Sequence, residues 1–197
     1  MSSYGRLVAY DVLAESRRLI ADGLPAGPVR LSRRRRFAPV AVDVDDAVAG
    51  TRFVRRGAGC FWDETHLLVR DDHAWRVLGG GGAGSGEPWS SEAFERARDE
   101  LPEGHVRATN GPSVWQGPGW LRAAHLLAGR GVAAVVVGDR RRLTVPGHGR
   151  LLVVWASARP PRVSARDAAG REVVRVALPD EAAALPAVYT DEEPATG

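Results

Sequence analysis

The chain has 197 residues, of which 44% are hydrophobic and 26% are charged, a composition typical of a folded globular protein and not of a disordered or fibrous one. This length suits one principal domain with a packed core. The formal net charge is +3, and all 27 basic residues are arginine, so a P-loop, which needs a lysine at the phosphates, is excluded.

The absence of lysine, together with single residues of isoleucine, asparagine and glutamine, indicates GC-rich coding. Such codon usage explains much of the arginine content without selection for phosphate contacts. The one cysteine, Cys60, excludes an intrachain disulfide and suits a reducing compartment. No secretory signal and no run of 18 apolar residues is present, so we expect a cytoplasmic protein without membrane insertion.

The chain opens with a predicted helix over residues 2–22, capped by Ser2 or Ser3 and ended by Gly23. Because a lone helix of this length is marginal in water, it must dock on the chain's own core or on another subunit. A turn-rich linker, residues 24–32, follows. It ends in four consecutive arginines, Arg33, Arg34, Arg35 and Arg36.

Strand-like patterns begin after these arginines. Residues 37–44 and 51–56 are rich in Val, Phe and Thr, which predicts short strands. Residues 66–70 and 73–78 flank the pair Asp71-Asp72, which predicts a hairpin with a tight turn.

A flexible glycine-rich loop is predicted at residues 79–86. After it, Ser91 is expected to cap a short helix that runs to about Leu101 and stops at Pro102. This is the one internal helix that the sequence predicts.

From residue 105 onward, short apolar pieces separated by turns containing Gly or Asp predict a series of strands. They fall at residues 105–109, 113–116, 132–137, 141–145, 150–156, 162–166 and 172–177. Residues 151–155 are apolar on both faces, which predicts a central strand. Residues 120–128 fit a helix or a strand, and we assign a strand because their neighbours are β.

These elements predict a mainly β, β-rich α+β fold: an antiparallel β-sandwich or partial barrel with an N-terminal amphipathic helix and one short internal helix. The expected organisation is a helix and basic arm over residues 1–36, a β-rich globular domain over 37–178, and an acidic disordered tail over 179–197. The glycine-rich loop at 79–90 offers a boundary within the β domain. Residues 1–36 carry eight arginines against three acids, and residues 179–197 carry five acids and no base.

Gly79, Gly81 and Gly84 match the dinucleotide-binding pattern G-x-G-x-x-G. The predicted helix starts several residues too late for a phosphate to reach its N-terminus, and no alternation of strands and helices surrounds the motif. We therefore interpret these glycines as a loop and expect no cofactor.

The densest set of reactive side chains comprises Cys60, Asp63, His66 and His73. They are weak candidates for metal ligands or for a thiol nucleophile with its base, because neither site has recognisable spacing here. The alternative places Cys60 in the core and the histidines on a hairpin. No metal site is therefore assigned.

A second polar group, Asp43, Asp45 and Asp46, lacks the glycine and terminal glutamate of a calcium-binding EF-hand loop. It is interpreted as a polar strand end.

Arg33 to Arg36 are the candidate anion-binding residues, either as a phosphate-tracking surface or as a solvated, partner-facing one. Of the six tryptophans, Trp155 is expected in the core, whereas Trp89 and Trp115, flanked by Gly, Pro and Ser, are candidate surface platforms.

The absence of a recognisable catalytic motif leads us to expect a non-enzymatic interaction or accessory protein that presents a β-domain surface, with a protein partner or self-association. The alternative function is binding of nucleic acid or an anionic ligand through the arginine clusters. The third hypothesis is a small enzyme or a metal site around Cys60.

Overall fold

The computed structural model describes residues 10–72, 74–86, 89–117 and 119–179. Within these ranges the chain forms two helices and eleven strands. The helices are α1 (Val12–Asp22) and α2 (Ser91–Asp99). The strands are β1 (Phe37–Asp45), β2 (Val48–Arg56), β3 (Phe61–Asp71), β4 (Ala74–Ser85), β5 (Val106–Gln116), β6 (Gly119–Ala128), β7 (Ala134–Val137), β8 (Arg141–Thr144), β9 (Arg150–Trp155), β10 (Val163–Arg166) and β11 (Glu172–Val176).

The strands form three antiparallel sheets. Sheet 1 has the order β1-β2-β3-β4, sheet 2 the order β5-β6-β9, and sheet 3 the order β11-β10-β7-β8. The predicted β-rich α+β fold is confirmed, and the described strands do not close into a barrel. Within the described ranges, neither helix has the length and apolar character needed to cross a membrane.

Sheet 2 lies between the other two sheets. Side chains alternate between the two faces of each of its strands, so each strand packs against both neighbouring sheets. On one face, Leu126 and Val153 pack with residues of sheet 3 in a core that also holds Trp155, as predicted. On the other face, Leu121 and Leu152 pack with residues of sheet 1. The two layers of core therefore share β6 and β9.

Strand β9 is an edge strand of sheet 2, so the prediction of a central strand was wrong. Its free edge is covered by side chains: the backbone N–H of Val154 donates to Asp43 Oδ2 over 2.8 Å, and Arg141 Nη2 donates to the Val154 carbonyl over 3.0 Å. Asp43 and Arg141 also form an ion pair, at 2.6 Å. The apolar pattern arises because β9 is buried between two layers, not because it is paired on both edges.

Helix α1 begins at Val12, where Asp11 is the N-cap and accepts from the Ala14 N–H over 3.0 Å. The predicted helix over residues 2–22 was wrong for Tyr10 and Asp11, which are not helical, and the predicted caps Ser2 and Ser3 lie outside the described residues. The helix ends at Gly23 as predicted, and this glycine has a φ of 75°.

Of the two docking partners expected for α1, the structure shows the chain's own core. Leu19 is buried, and the Ser16 and Thr51 hydroxyls lie 2.7 Å apart beneath the helix. Arg17 Nη2 donates to the Trp75 carbonyl over 2.7 Å. The helix thus covers the outer face of sheet 1.

The predicted hairpin around Asp71-Asp72 is present, with Asp71 opposite Ala74 and a φ of 41° at Asp72. The predicted loop at 79–86 is instead the second half of β4, which pairs with β3 as far as Ser85. Residues 79–85 are therefore part of a strand and not a loop. Glycine is needed here because neighbouring backbone comes close: a Cβ at position 80 would lie 2.1 Å from the Thr65 carbonyl oxygen.

The predicted strands after residue 105 and the internal helix are confirmed with small shifts, whereas the predicted acidic tail beyond residue 179 lies outside the described residues. Helix α2 is capped by Ser90, one residue before the predicted Ser91. The predicted pieces at 105–109 and 113–116 are one strand, β5, interrupted by a register shift. The ambiguous segment 120–128 is strand β6.

Candidate functional site

Polar side chains enter the layer between sheets 1 and 2 from β2 and β3. Arg52, Asp63 and Thr65 point into this layer because they occupy the strand faces turned toward sheet 2. Arg52 Nε and Nη2 donate to the two Asp63 oxygens over 2.8 and 2.6 Å. The pair is nearly buried, with side chains 6% and 11% exposed.

His125 extends this group from β6. Its Nε2 lies 2.8 Å from the Thr65 hydroxyl oxygen. Burial lowers the pKa of His125 to about 4, and the positive charge of Arg52 acts in the same direction. The imidazole is therefore neutral at physiological pH.

The end of the layer next to α2 holds Arg150 and His148. The guanidinium carbon of Arg150 lies 4.6 Å from the ring centroid of Phe94 and 5.3 Å from that of Trp89. His148 Nδ1 accepts from the Arg150 backbone N–H over 3.2 Å, and burial lowers the pKa of His148 to about 4. We call Arg52, Asp63, Thr65, His125, His148 and Arg150 the interior polar cluster.

Trp89 belongs to this region and is not an open platform. It is partly buried and stacks on Phe94 with ring centroids 5.7 Å apart. The sequence places it on the surface because its neighbours are Ser and Pro, whereas the fold turns its ring toward the cluster.

The cluster combines neutral imidazoles with the guanidinium of Arg150, which has no ion-pair partner in the part of the chain that the structure describes. Among the described residues, no carboxylate lies within 4 Å of the Arg150 nitrogens. The Thr65 hydroxyl is buried, and the nearby His125 has too low a pKa for an effective base at neutral pH. The arrangement is therefore better suited to binding an anion than to activating a nucleophile.

The structure does not bring Cys60, Asp63 and His66 together. Cys60 is half-buried in the turn before β3. Asp63 faces sheet 2, whereas His66 lies on the opposite face of β3, 3.2 Å from the Tyr10 hydroxyl. His73 lies outside the described residues, and among those that are described no three His, Cys, Asp or Glu side chains are grouped to hold a metal ion.

The three aspartates at the end of β1 lie in different environments. Asp43 is buried with Arg141, Asp45 Oδ2 lies 3.6 Å from the same arginine, and Asp46 is exposed in the β1–β2 turn. Burial raises the pKa of Asp43 to about 6 despite the attraction of Arg141.

The side chains of Arg33, Arg34, Arg35 and Arg36 are all exposed in the turn that precedes β1. Arg36 Nη2 donates to the Arg56 carbonyl over 3.3 Å, which holds the run at the β1–β2 end of sheet 1 near Phe61 and Ser85. This position supplies positive charge at one end of the sheet.

A second surface lies at the tip of the β5–β6 hairpin. Trp115 and Trp120 face each other across the strands, with ring centroids 5.5 Å apart and an interplanar angle of 75°. They are 57% and 42% exposed. The structure thus places Trp115 on the surface, and it adds Trp120, which the sequence does not distinguish from a core residue.

Arginine borders this tryptophan pair. Arg122, two residues beyond Trp120 on the same face of β6, donates from Nη1 to the Ala158 carbonyl over 3.4 Å. That contact brings Ala158 to the hairpin, and the same loop, residues 156–162, also contains Arg159 and Arg162. We call Trp115, Trp120, Arg122, Arg159 and Arg162 the aromatic–basic end.

Sequence reasoning missed the interior polar cluster because its members are spread from residue 52 to residue 150. The one sequence feature that could have indicated the cluster is Arg52. This charged residue lies between the small Gly50 and the apolar Val54 on one face of a strand. That signal has meaning only after the buried face of β2 is known.

Comparisons of the chain with family models, with curated protein sequences and with solved structures return no match.

Proposed function

We propose that this chain is a non-enzymatic interaction protein of the cytoplasm, and that its aromatic–basic end binds an acidic, apolar-containing segment of a partner protein. The observation that carries this proposal is the exposed pair Trp115 and Trp120. Large aromatic rings and arginine contribute disproportionately to protein interfaces, because they bury much area and make directed contacts.

The charge of the surrounding sequence supports an acidic partner. Between Glu103 and Asp167 the chain has ten arginines and a single acid, Asp139. Sheet 2 and most of sheet 3 come from this stretch. An acidic segment is attracted to such a region, and its apolar side chains can cover the tryptophan rings.

Single-stranded nucleic acid is the alternative occupant, since bases stack on aromatic rings and phosphates pair with arginine. Two features favour a protein segment. The tryptophan rings meet at 75° and offer no common plane for successive bases. The Arg33–Arg36 run also lies near Ser85 at one end of β4, away from the hairpin tip, which lies beyond Val114 where that residue approaches Gly79 in the middle of β4.

An array of synthetic 15-residue peptides in which acidic and apolar content vary independently tests this proposal. We expect the full chain to bind only peptides that have both properties. The double variant Trp115→Ala/Trp120→Ala should lose roughly tenfold or more in affinity. Val173→Ala, which changes the exposed valine on β11, is the matched control and should bind normally.

Three results would contradict the proposal: binding that ignores peptide charge, binding that survives in the double variant, or tighter binding to a 15-nucleotide oligothymidylate. The tryptophan pair also stabilises the hairpin itself. Circular dichroism and the melting temperature of the double variant therefore accompany the binding data. A variant that is less stable but binds normally would assign the pair to the hairpin alone.

A further inference from the structure

The guanidinium of Arg150 has a buried N–H donor without a hydrogen-bond partner among the described residues. It leaves β9 and lies over the rings of Phe94 and Trp89, and its Nε atom is inaccessible to solvent and has no hydrogen-bond partner among the described residues. No described carboxylate forms an ion pair with it. A guanidinium carries five N–H donors, and the one on Nε of Arg150 is buried without a partner among the described residues.

The nearest acid does not supply the missing charge. Asp63 is close enough to favour the charged form of Arg150, but both of its oxygens already accept from Arg52. Arg52 and Arg107 also act on Arg150 and add positive charge, while His125 and His148 are neutral. The environment of Arg150 therefore has an excess of cations.

Burial of a guanidinium without a counter-ion is unfavourable, and contact with aromatic faces offsets only part of that cost. Burial lowers the pKa of Arg150 to about 10, and the positive charges of Arg52 and Arg107 act in the same direction. The rings of Phe94 and Trp89 restrict the orientation of the guanidinium, which prepares its remaining donors for a planar, two-oxygen partner.

Space is available beside this residue. Arg150 lines a cavity of about 290 Å³ next to β1 and β8, together with Leu24, Pro146 and Leu151.

We propose that Arg150 is the centre of a binding site for a small oxyanion, whose two oxygens accept from its guanidinium at the α2 end of the interior polar cluster. This site is separate from the aromatic–basic end and does not depend on it. The shared chemistry is that of a carboxylate or a phosphate, and the experiment distinguishes the two.

The test measures the melting temperature of the full chain in chloride, malonate and phosphate at matched ionic strength. We expect a saturable increase in malonate or phosphate relative to chloride, and the larger increase identifies the preferred anion. Arg150→Met should lose this increase, and in chloride it should be at least as stable as the unmodified chain because the unpaired charge is gone. Arg175→Met, which changes an arginine with an 89% exposed side chain on β11, is the control and should keep the increase.

Equal increases in Arg150→Met and in the unmodified chain would show that the anions act elsewhere and would overturn the proposal. So would the absence of any increase in the unmodified chain. Should Arg150→Met not fold, Arg150→Lys takes its place: it keeps the charge but loses two-pronged donation, so we expect the apparent Kd from calorimetric titration to rise by roughly fivefold or more. An unchanged Kd would reject the two-oxygen contact.

Discussion

Histidines in the core make stability depend on pH. The pKa values of His125 and His148 are lowered to about 4 by burial, so between pH 4 and 6.5 the unfolded chain binds protons that the folded chain does not. Their contribution is complete above about pH 6.5 and is lost as the pH falls toward 4. Asp43 acts in the opposite direction, because its raised pKa of about 6 gives a contribution that is lost as the pH rises from 4 to 6.

Two histidines outweigh one aspartate, so we expect the free energy of unfolding to rise by roughly 2–4 kcal/mol between pH 4 and 7, since one pKa unit corresponds to ~1.4 kcal/mol. Urea unfolding at several pH values measures it. His125→Gln should flatten the profile and Asp43→Asn should steepen it. A free energy of unfolding that is constant or falls over this range would contradict the assignment.

At the scale of single elements, β4 shows how a glycine run can form a strand. The second half of β4 lies against other chain segments on both sides: Gly79 approaches Val114 of β5, and Gly80 approaches the backbone of β3. A register shift between Leu67 and Leu68 accompanies this approach. Glycine is therefore required by contact and not by flexibility.

Gly80→Ala should lower the free energy of unfolding by roughly 3 kcal/mol, because its Cβ would lie 2.1 Å from the Thr65 carbonyl oxygen and must displace backbone. The matched control is Gly147→Ala, whose Cβ would meet no atom of the described residues within 4 Å and which should change stability by about 0.5 kcal/mol or less. Urea unfolding of both variants provides the comparison. Equal stability of the two would show that β4 can move away from β3.

At the scale of the whole molecule, sheet 2 joins the two core layers. Residues of β6 and β9 alternate between them, so neither layer can lose its packing without exposing the opposite face of the same strands. The Asp43–Arg141 pair adds a link between β1, β8 and β9. The described fold should therefore unfold as one unit.

Core substitutions in the two layers test this expectation. Leu67→Ala lies between sheets 1 and 2, and Val135→Ala lies between sheets 2 and 3; each should cost about 1–5 kcal/mol and shift one common transition. Far-ultraviolet circular dichroism and tryptophan fluorescence should report the same midpoint. Two transitions, each moved by only one variant, would instead indicate two domains.

Much of the fold was predictable from local patterns. The hairpin at Asp71-Asp72, helix α2 and the strands after residue 105 follow from turn residues and apolar alternation, which act over a few neighbours. The glycine strand β4 was not predictable in this way, since what makes it a strand is its pairing with β3. The interior polar cluster was hidden for a similar reason.

The sequence by itself determined the β-rich class, the position of most strands and the end of helix α1 at Gly23, because these depend on residue types close together in the chain. Only the tertiary structure decided that β9 is an edge strand covered by Asp43 and Arg141, and that Arg150 lies between the sheets with no counter-ion among the described residues. These features depend on which strand faces meet, and residues up to 111 positions apart make the contacts. Local patterns contain no information on that pairing.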